Sequence, residues 1–479
     1  MKKIIIGTLF SALLFNSCNI DDSINTDPNV AYTTTAESVI SSAQKSLSDY
    51  VNTPSVNENN FRLTMQYWQE TTYVNESNYD FVNRNVSNTI WSDNYVAVLN
   101  NLNQAKGLVE NYIPSASEIS TWSVTKKNKL AIIDLLMVYT YQNLVDTFGN
   151  IPYSQALQLD AHPLPVYDDG ATIYTSLIQK AKADVQSLTT GSSFGVADYY
   201  YQGDISKWKK FGNSLLLKLG VAIADSNPTL AQATVIDAIA TGVMTSTADN
   251  CQLPYQKTSP NYNPLYDALV ASGRDDYIAA APFVNFLIVN SDPRISSYYQ
   301  LNEDDEYVGQ TVGAPGEVDV YSRIGEFAHK PDYPGTIMNY TEVAFYLAEA
   351  AARWNTSTPA TAYATAVQAS MNEWGVSNAN ITTYLAVHPY NSANWKQSIG
   401  LQAWAAFFNQ GQTSWNFYRR LDYPVLQAPT TAAQEAGGKV PVRMTYPVRE
   451  QSVNGTNWAA ASSAIGGDKL TTKLFWDKF

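Results

Sequence analysis

WKQSIGLQAWAAFFNQGQTSWNFYRRLDYP, residues Trp395 to Pro424, is the stretch on which the fold turns. Trp395, Ile399, Ala403 and Phe407 recur at helical spacing, and Ala406 leaves room for a close neighbour. Gly411 stands where a helix C-terminus favours a left-handed residue, so one helix is expected to end there. A second, shorter helix then carries Trp415 and Arg419 one turn apart, with Asp422 further on and Pro424 as its stop. Two helices meeting at a glycine make a hairpin whose adjacent arginines, Arg419 and Arg420, point into a bed of aromatics. Buried arginines usually exist to pair, so on chemistry alone the stretch reads as a core seam with a structural ion pair rather than a catalytic site.

Outward from this seam the chain reads as mainly α, in paired helices. Leu130, Ile133, Met137, Tyr141, Leu144 and Phe148 mark a long amphipathic helix ending at Gly149. Its partner runs from about Gly170 to Leu188, and Pro152, Pro163 and Pro165 hold an extended connection between the two. Trp208, Phe211, Leu215 and Leu219 line a third helix. A later one opens with Asn339 and Glu342 at the spacing of a cap and its reciprocal partner, and pairs Glu349 with Arg353 along its outer face. Nearer the N-terminus, helices are expected over roughly Ala36 to Val51 and Phe61 to Thr71. Helical hairpins stacked this way suggest a scaffold similar to tetratricopeptide repeats, without a visible repeating consensus. An irregular insert at about 250–340 interrupts them, with one helix near Ile278 to Val289 and a loop ion pair between Asp292 and Arg294.

Composition narrows the function classes. The chain has 479 residues, 45% hydrophobic and 15% charged, which describes a globular protein with a large core. A net charge of −13 argues against nucleic acid and against broad electrostatic attachment to anionic lipid. His162, His329 and His388 have no His or Cys at metal-ligand spacing, and His162 and His388 each precede a proline. Glu303, Asp304, Asp305 and Glu306 lack the alternating spacing that lets carboxylates converge on calcium. No nucleophile elbow, phosphate loop or dinucleotide fingerprint is present. The sequence therefore reads as a non-enzyme, with no metal or cofactor.

At the N-terminus, Lys2 and Lys3 precede an apolar run from Ile4 to Phe15 that is too short to span a bilayer. Asn16, Ser17 and Cys18 follow, as at a lipoprotein processing site, although Phe15 stands where leucine is usual. Residues 1–17 are thus expected to be a signal peptide, Cys18 the acylated residue that meets outer-membrane lipid, 18–35 a polar tether and 36–479 a single domain. Cys251 is the only other cysteine and is expected to be a buried small hydrophobe.

Candidate binding residues come from aromatics interleaved with amides. Tyr67 to Trp91 shows no helical period, and within it Trp68, Tyr73, Tyr79 and Phe81 alternate with Asn75 and Asn78. A flat ring beside amides suits a sugar, whose C–H face stacks while its hydroxyls bond to Asn. Tyr262, Tyr266, Tyr298 and Tyr299 extend the candidate surface into the insert.

Five blocks in order carry a resemblance: NTDPN (Asn25 to Asn29), DTFGNIPYSQAL (Asp146 to Leu157), GDISKWKKFGNSLLLKLG (Gly203 to Gly220), MNYTEVAFYLAEA (Met338 to Ala350), and the seam followed by VPVRMTYPVREQSVN (Val440 to Asn454). With the terminal GGDKLTTKLFWDK, they resemble the SusD/RagB-type nutrient-binding outer-membrane lipoproteins of Bacteroidetes, in the second SusD-like subfamily. The resemblance implies a SusD-like fold, with tetratricopeptide-like pairs bearing long irregular ligand-facing loops. It also implies a lipid-anchored cell-surface protein that binds oligosaccharides and delivers them to a SusC-like TonB-dependent transporter. The same architecture capturing peptides, as in the RagB branch, is the alternative, and a lipid-anchored glycoside hydrolase a third reading.

Overall fold

The computed structural model describes residues 34–479, so the leader, Cys18 and nearly all of the tether lie outside the described residues. Residues Ala36–Phe479 make one contact-connected unit. Its helices are α1 (Ala36–Asn52), α2 (Phe61–Thr64), α3 (Val86–Ser92), α4 (Asn101–Glu110), α5 (Ile119–Phe148), α6 (Gly170–Ser187), α7 (Ile205–Ala222) and α8 (Pro228–Thr241). The insert holds α9 (Ala281–Val289), and after it follow α10 (Tyr340–Trp354), α11 (Pro359–Glu373), α12 (Asn378–Val387), α13 (Trp395–Ala406) and α14 (Gly411–Leu421). Between α3 and α4, Asp93–Asn100 continues as a π-helical stretch. Successive helices pack as pairs, α5 on α6, α7 on α8 and α10 on α11, while α1 packs on α4.

One small antiparallel sheet ties the insert to this scaffold, and a second joins the insert's own two ends. β1 (Trp68–Glu70) pairs with β3 (Tyr277–Ala279), and β2 (Cys251–Leu253) with β4 (Gly335–Met338). Cys251 is fully buried there. The helix expected over Phe61 to Thr71 therefore stops after Thr64, because its second half is needed as a strand edge. The insert helix begins at Ala281 rather than Ile278 for the same reason.

The seam is a helical hairpin, but its turn differs from the sequence reading. α13 stops at Ala406, and Gly411 opens α14 instead of closing α13. Close approach explains the glycine: a Cβ at position 411 would lie 2.7 Å from the Arg62 backbone nitrogen. The arginines divide their work. Arg420 pairs with Glu349 at 2.8 Å, and Glu349 also takes Arg353, which reaches Asp225. Glu349 is fully buried, so this pair lies in the core and not on the outer face of α10. Burial alone would raise the Glu349 carboxyl, but Arg420 and Arg353 hold it below its ordinary value. Asn339 caps α10 by accepting from the Glu342 N–H, whereas the Glu342 carboxylate turns to Lys218 and Tyr346 rather than back to the cap.

Among the described residues Arg419 has no carboxylate partner at salt-bridge distance. It lies 3.4 Å over the Trp415 ring and donates to the Asp146 and Val442 carbonyls at 2.7 and 3.0 Å. That position explains why distant motifs occur together. The last four carbonyls of α5 have no helical partners of their own. Gly149 N–H reaches Val145, Arg419 reaches Asp146, Met444 N–H reaches Thr147, and Arg443 reaches Phe148 at 2.7 Å. Two guanidinium groups thus also sit at the negative end of the helix dipole. The Asp146 carboxylate meanwhile accepts from Tyr174, Asn416 and Trp476. The Asp146–Leu157 block, the seam, the Val440–Asn454 block and the C-terminal block are thus parts of one knot at the end of α5.

Candidate functional site

The site is built where the chain leaves β1. Thr71 N–H donates to the Asp276 carbonyl at 3.0 Å, and residues 72–85 then form a loop with no ladder of their own. Its anchors are polar. Asn78 donates to Gly313 O at 2.9 Å and to Val74 O at 2.8 Å, and accepts from Thr431 Oγ1. Gly316 N–H donates to Thr71 O and Ala433 N–H to Asn78 O. Gly313 must be glycine: its φ is +80°, and a Cβ would meet Asn78 Oδ1 at 2.4 Å.

Beneath the loop lies a charged pair of layers. The buried Glu70 carboxylate accepts from Ser77 N–H and Oγ and from Arg274 Nη2, the last at 3.1 Å. Arg274 also forks onto Asp276 and lies 4.1 Å over the Tyr277 ring. Burial, with Glu76 adding to it, pushes the Glu70 carboxyl up to about 7 against the opposing Ser77 hydrogen bond and Arg274. Glu76 itself pairs with Arg84 at 2.7 Å.

Backbone strain is concentrated here. Ten non-glycine residues among the described residues have positive φ, and four of them, Gln66, Tyr73, Tyr79 and Asn85, fall in this short stretch. Left-handed tyrosines are uncommon and are held only where the surroundings impose them. In Tyr73 the result is a ring 85% exposed, projecting from a pinned loop beside exposed Thr72 and Asn75.

The expected ligand surface divides sharply by burial. Tyr73 and Asn75 are exposed, and Asn78 is half-buried with its amide committed to the loop. Tyr262 and Tyr266 are half-buried and meet edge to face at 5.3 Å. Trp68, Tyr79, Phe81, Tyr298 and Tyr299 are buried, which corrects their expected placement facing a ligand: a ring covered on both faces offers nothing to stack on. Their hydroxyls serve the fold. Tyr298 donates to Ala405 O at 2.7 Å, Tyr299 to Tyr67 O at 2.6 Å, and Tyr67 to Trp404 O at 2.6 Å, so two of them satisfy the last-turn carbonyls of α13. Sequence reasoning passed over Arg274 and Asp276, whose signal was a Gly-Arg-Asp-Asp run leading into Tyr277. Among the described residues no cluster of three His, Cys, Asp or Glu could hold a metal, and no helix is long and apolar enough to cross a membrane.

The arrangement presents one flat apolar ring beside amide and hydroxyl groups, a combination whose chemistry suits a polar, ring-shaped ligand. A family model, the second SusD-like one, described as starch-binding and associating with the outer membrane, matches residues 28–447. Among solved structures, a chitin-binding protein is 24% identical, with a TM-score of 0.81 over 93% of this chain and 100% of its own. A chitin-binding SusD homologue from Flavobacterium johnsoniae is also 24% identical, with a TM-score of 0.77 over 92% of this chain and 98% of its own. A SusD homologue from Bacteroides uniformis has the same identity and TM-score over 92% and 99%. At such identities the likeness shows the fold. A search of curated proteins finds no sequence match.

Proposed function

The chain belongs to the SusD-like family described as starch-binding and associating with the outer membrane, and from that premise we propose that it captures oligosaccharides at the cell surface. Cys18 would carry the acyl anchor, and the bound glycan would pass to a SusC-like TonB-dependent transporter. The observation that carries the binding role is Tyr73, a ring 85% exposed on a left-handed backbone that a braced loop enforces. Exposure of a large ring and retention of backbone strain both cost stability, and ligand binding is the gain that offsets them. The family's description as starch-binding makes a glucose hexamer, and the relatives named as chitin-binding an N-acetylglucosamine hexamer, the first ligands to test. The role in this reading is capture: the site's raised carboxyl, Glu70, is buried and engaged by Ser77 and Arg274 rather than open to a ligand.

Calorimetric titration of the purified protein with these two oligosaccharides tests the reading. Tyr73→Ala should weaken binding by about 1–3 kcal/mol, the range for stacking a planar ring on an aromatic, and leave the melting temperature unchanged. Normal binding by Tyr73→Ala would remove this ring from the site. Sugar release from a polymer by the wild type would replace capture with hydrolysis.

A further inference from the structure

A second cleft, of about 550 Å³, opens between residues 296–301, residues 326–333 and the end of α11. Its floor is aromatic, made by buried Tyr299 and Phe327, and its walls are the half-exposed rings of Tyr307, Tyr333 and Trp374. These walls are rigid. Trp374 meets Tyr298 edge to face at 4.7 Å and Phe327 at 5.0 Å, and Tyr333 packs on Phe327 at 5.4 Å. Charged and amide groups stand around the rings. Gln300 donates to Glu326 at 3.0 Å, and both face the cleft. The Lys330 ammonium, also lining it, has no ion-pair partner among the described residues. Glu373 is occupied from behind by Asn339 and Thr341, so it is not a free acid.

We propose that this cleft is a second saccharide subsite, taking a neutral hexose or N-acetylhexosamine unit of the captured glycan. Three accessible rings give stacking faces for sugar C–H groups, and a ring of donors and acceptors of both signs suits hydroxyls rather than a charged ligand. An apolar molecule would bury the Lys330 ammonium without a partner and take the Gln300–Glu326 pair out of water, and an anion would face Glu326. The segment from Tyr299 to Tyr333 lines this cleft at both ends and braces the Tyr73 loop through Gly313 and Gly316 in its middle. One segment therefore shapes two aromatic surfaces, and a polymer gripped at two points is held more tightly than at either. The inference rests on the glycan reading for its ligand class, not for its position.

Titrations with hexamers of glucose and N-acetylglucosamine should be run on wild type, Tyr73→Ala, Tyr307→Ala and Lys330→Ala, with melting curves for each. The exposed Lys330 side chain can be removed without disturbing the fold, which keeps the test valid if Tyr307→Ala is unstable. Loss of affinity by about five- to hundred-fold in Tyr307→Ala or Lys330→Ala, at unchanged melting temperature for Lys330→Ala, supports the subsite. Wild-type affinity in both variants, with Tyr73→Ala impaired, overturns the subsite and leaves the proposed function standing. Impairment in Tyr307→Ala with normal binding in Tyr73→Ala supports the subsite and removes the Tyr73 face. Absence of binding by the wild type, in titration and in saturation-transfer NMR with the single sugars at millimolar concentration, overturns both.

Discussion

At the scale of single residues, the function argument depends on how Tyr73 and Glu70 differ from their surroundings. Tyr73 is exposed and left-handed, whereas Glu70, close to it in sequence, is buried and ionisable. Tyr73→Gly should relieve the left-handed backbone and raise the unfolding free energy by roughly 0.5–1 kcal/mol net, after the extra entropy glycine gives the unfolded chain. The same substitution should abolish stacking, so stability and binding should move in opposite directions; if both fall together, the ring belongs to the core. For Glu70 the sign follows from a folded carboxyl at about 7 against an ordinary 4.5. The native state holds its proton more tightly, so this group stabilises below about 4.5, and that contribution is lost as pH rises to about 7. Chemical denaturation from pH 4.5 to 7.5 should show stability falling more steeply in wild type than in Glu70→Gln. Parallel curves would show that Glu70 is ionised across the range.

At the scale of elements, charge and helix termini explain the seam. Glu349 serves two arginines, so Glu349→Leu should strand Arg420 beside an apolar core and cost about 3–5 kcal/mol in denaturant unfolding. Arg420→Met should cost less, because Glu349 keeps Arg353. Equal losses would mean that the three groups do not act as a network. Much of this level was legible in the sequence. Apolar spacing located α6 and α7 to within a turn, together with the start of α13 and the end of α5, where Gly149 has φ +87°; α5 itself begins at Ile119, well before the Leu130 at which its apolar pattern starts. What was not legible depended on partners far along the chain. Gly411 resembles a helix stop until the backbone of Arg62 is found against it, and Glu349 with Arg353 resembles a surface pair until Arg420 arrives from α14. Phe61 to Thr71 kept a helical pattern that β3 overrode by pairing with β1.

At the scale of the whole molecule, an insert rich in tyrosine is fastened to a helical scaffold, leaving a few rings free. The fastening centres on Phe283, Phe408, Tyr298 and Trp404, where Tyr298 stacks on Phe408 at 4.4 Å and Phe283 meets Trp404 at 4.9 Å. Interleaved tyrosine and asparagine drew attention to the Tyr73 loop, where the structure exposes Tyr73 and Asn75. Residue type alone could not separate Tyr73 from Tyr79, because a loop has no period from which to read its inner face. Tyr298 and Tyr299 misled for a related reason: a hydroxyl that completes a helix terminus has the same sequence signature as one awaiting a ligand. The scaffold also depends on its last residues, since Trp476 donates to Asp146 and Asp468 holds Arg443 at 2.7 Å. Removing residues 468–479 should leave the end of α5 open and abolish cooperative unfolding, as read by calorimetry. A sharp transition near the wild-type temperature would show that the knot is dispensable.

The central claim is that a braced, exposed ring makes this member of the SusD-like family a glycan-capture protein. Titration of wild type and Tyr73→Ala with the glucose and N-acetylglucosamine hexamers tests it most directly. Saturable binding of at least one oligosaccharide, weakened about five-fold or more in Tyr73→Ala at an unchanged melting temperature, is the predicted result. Binding of neither oligosaccharide by the wild type, or equal binding by both proteins, would contradict it.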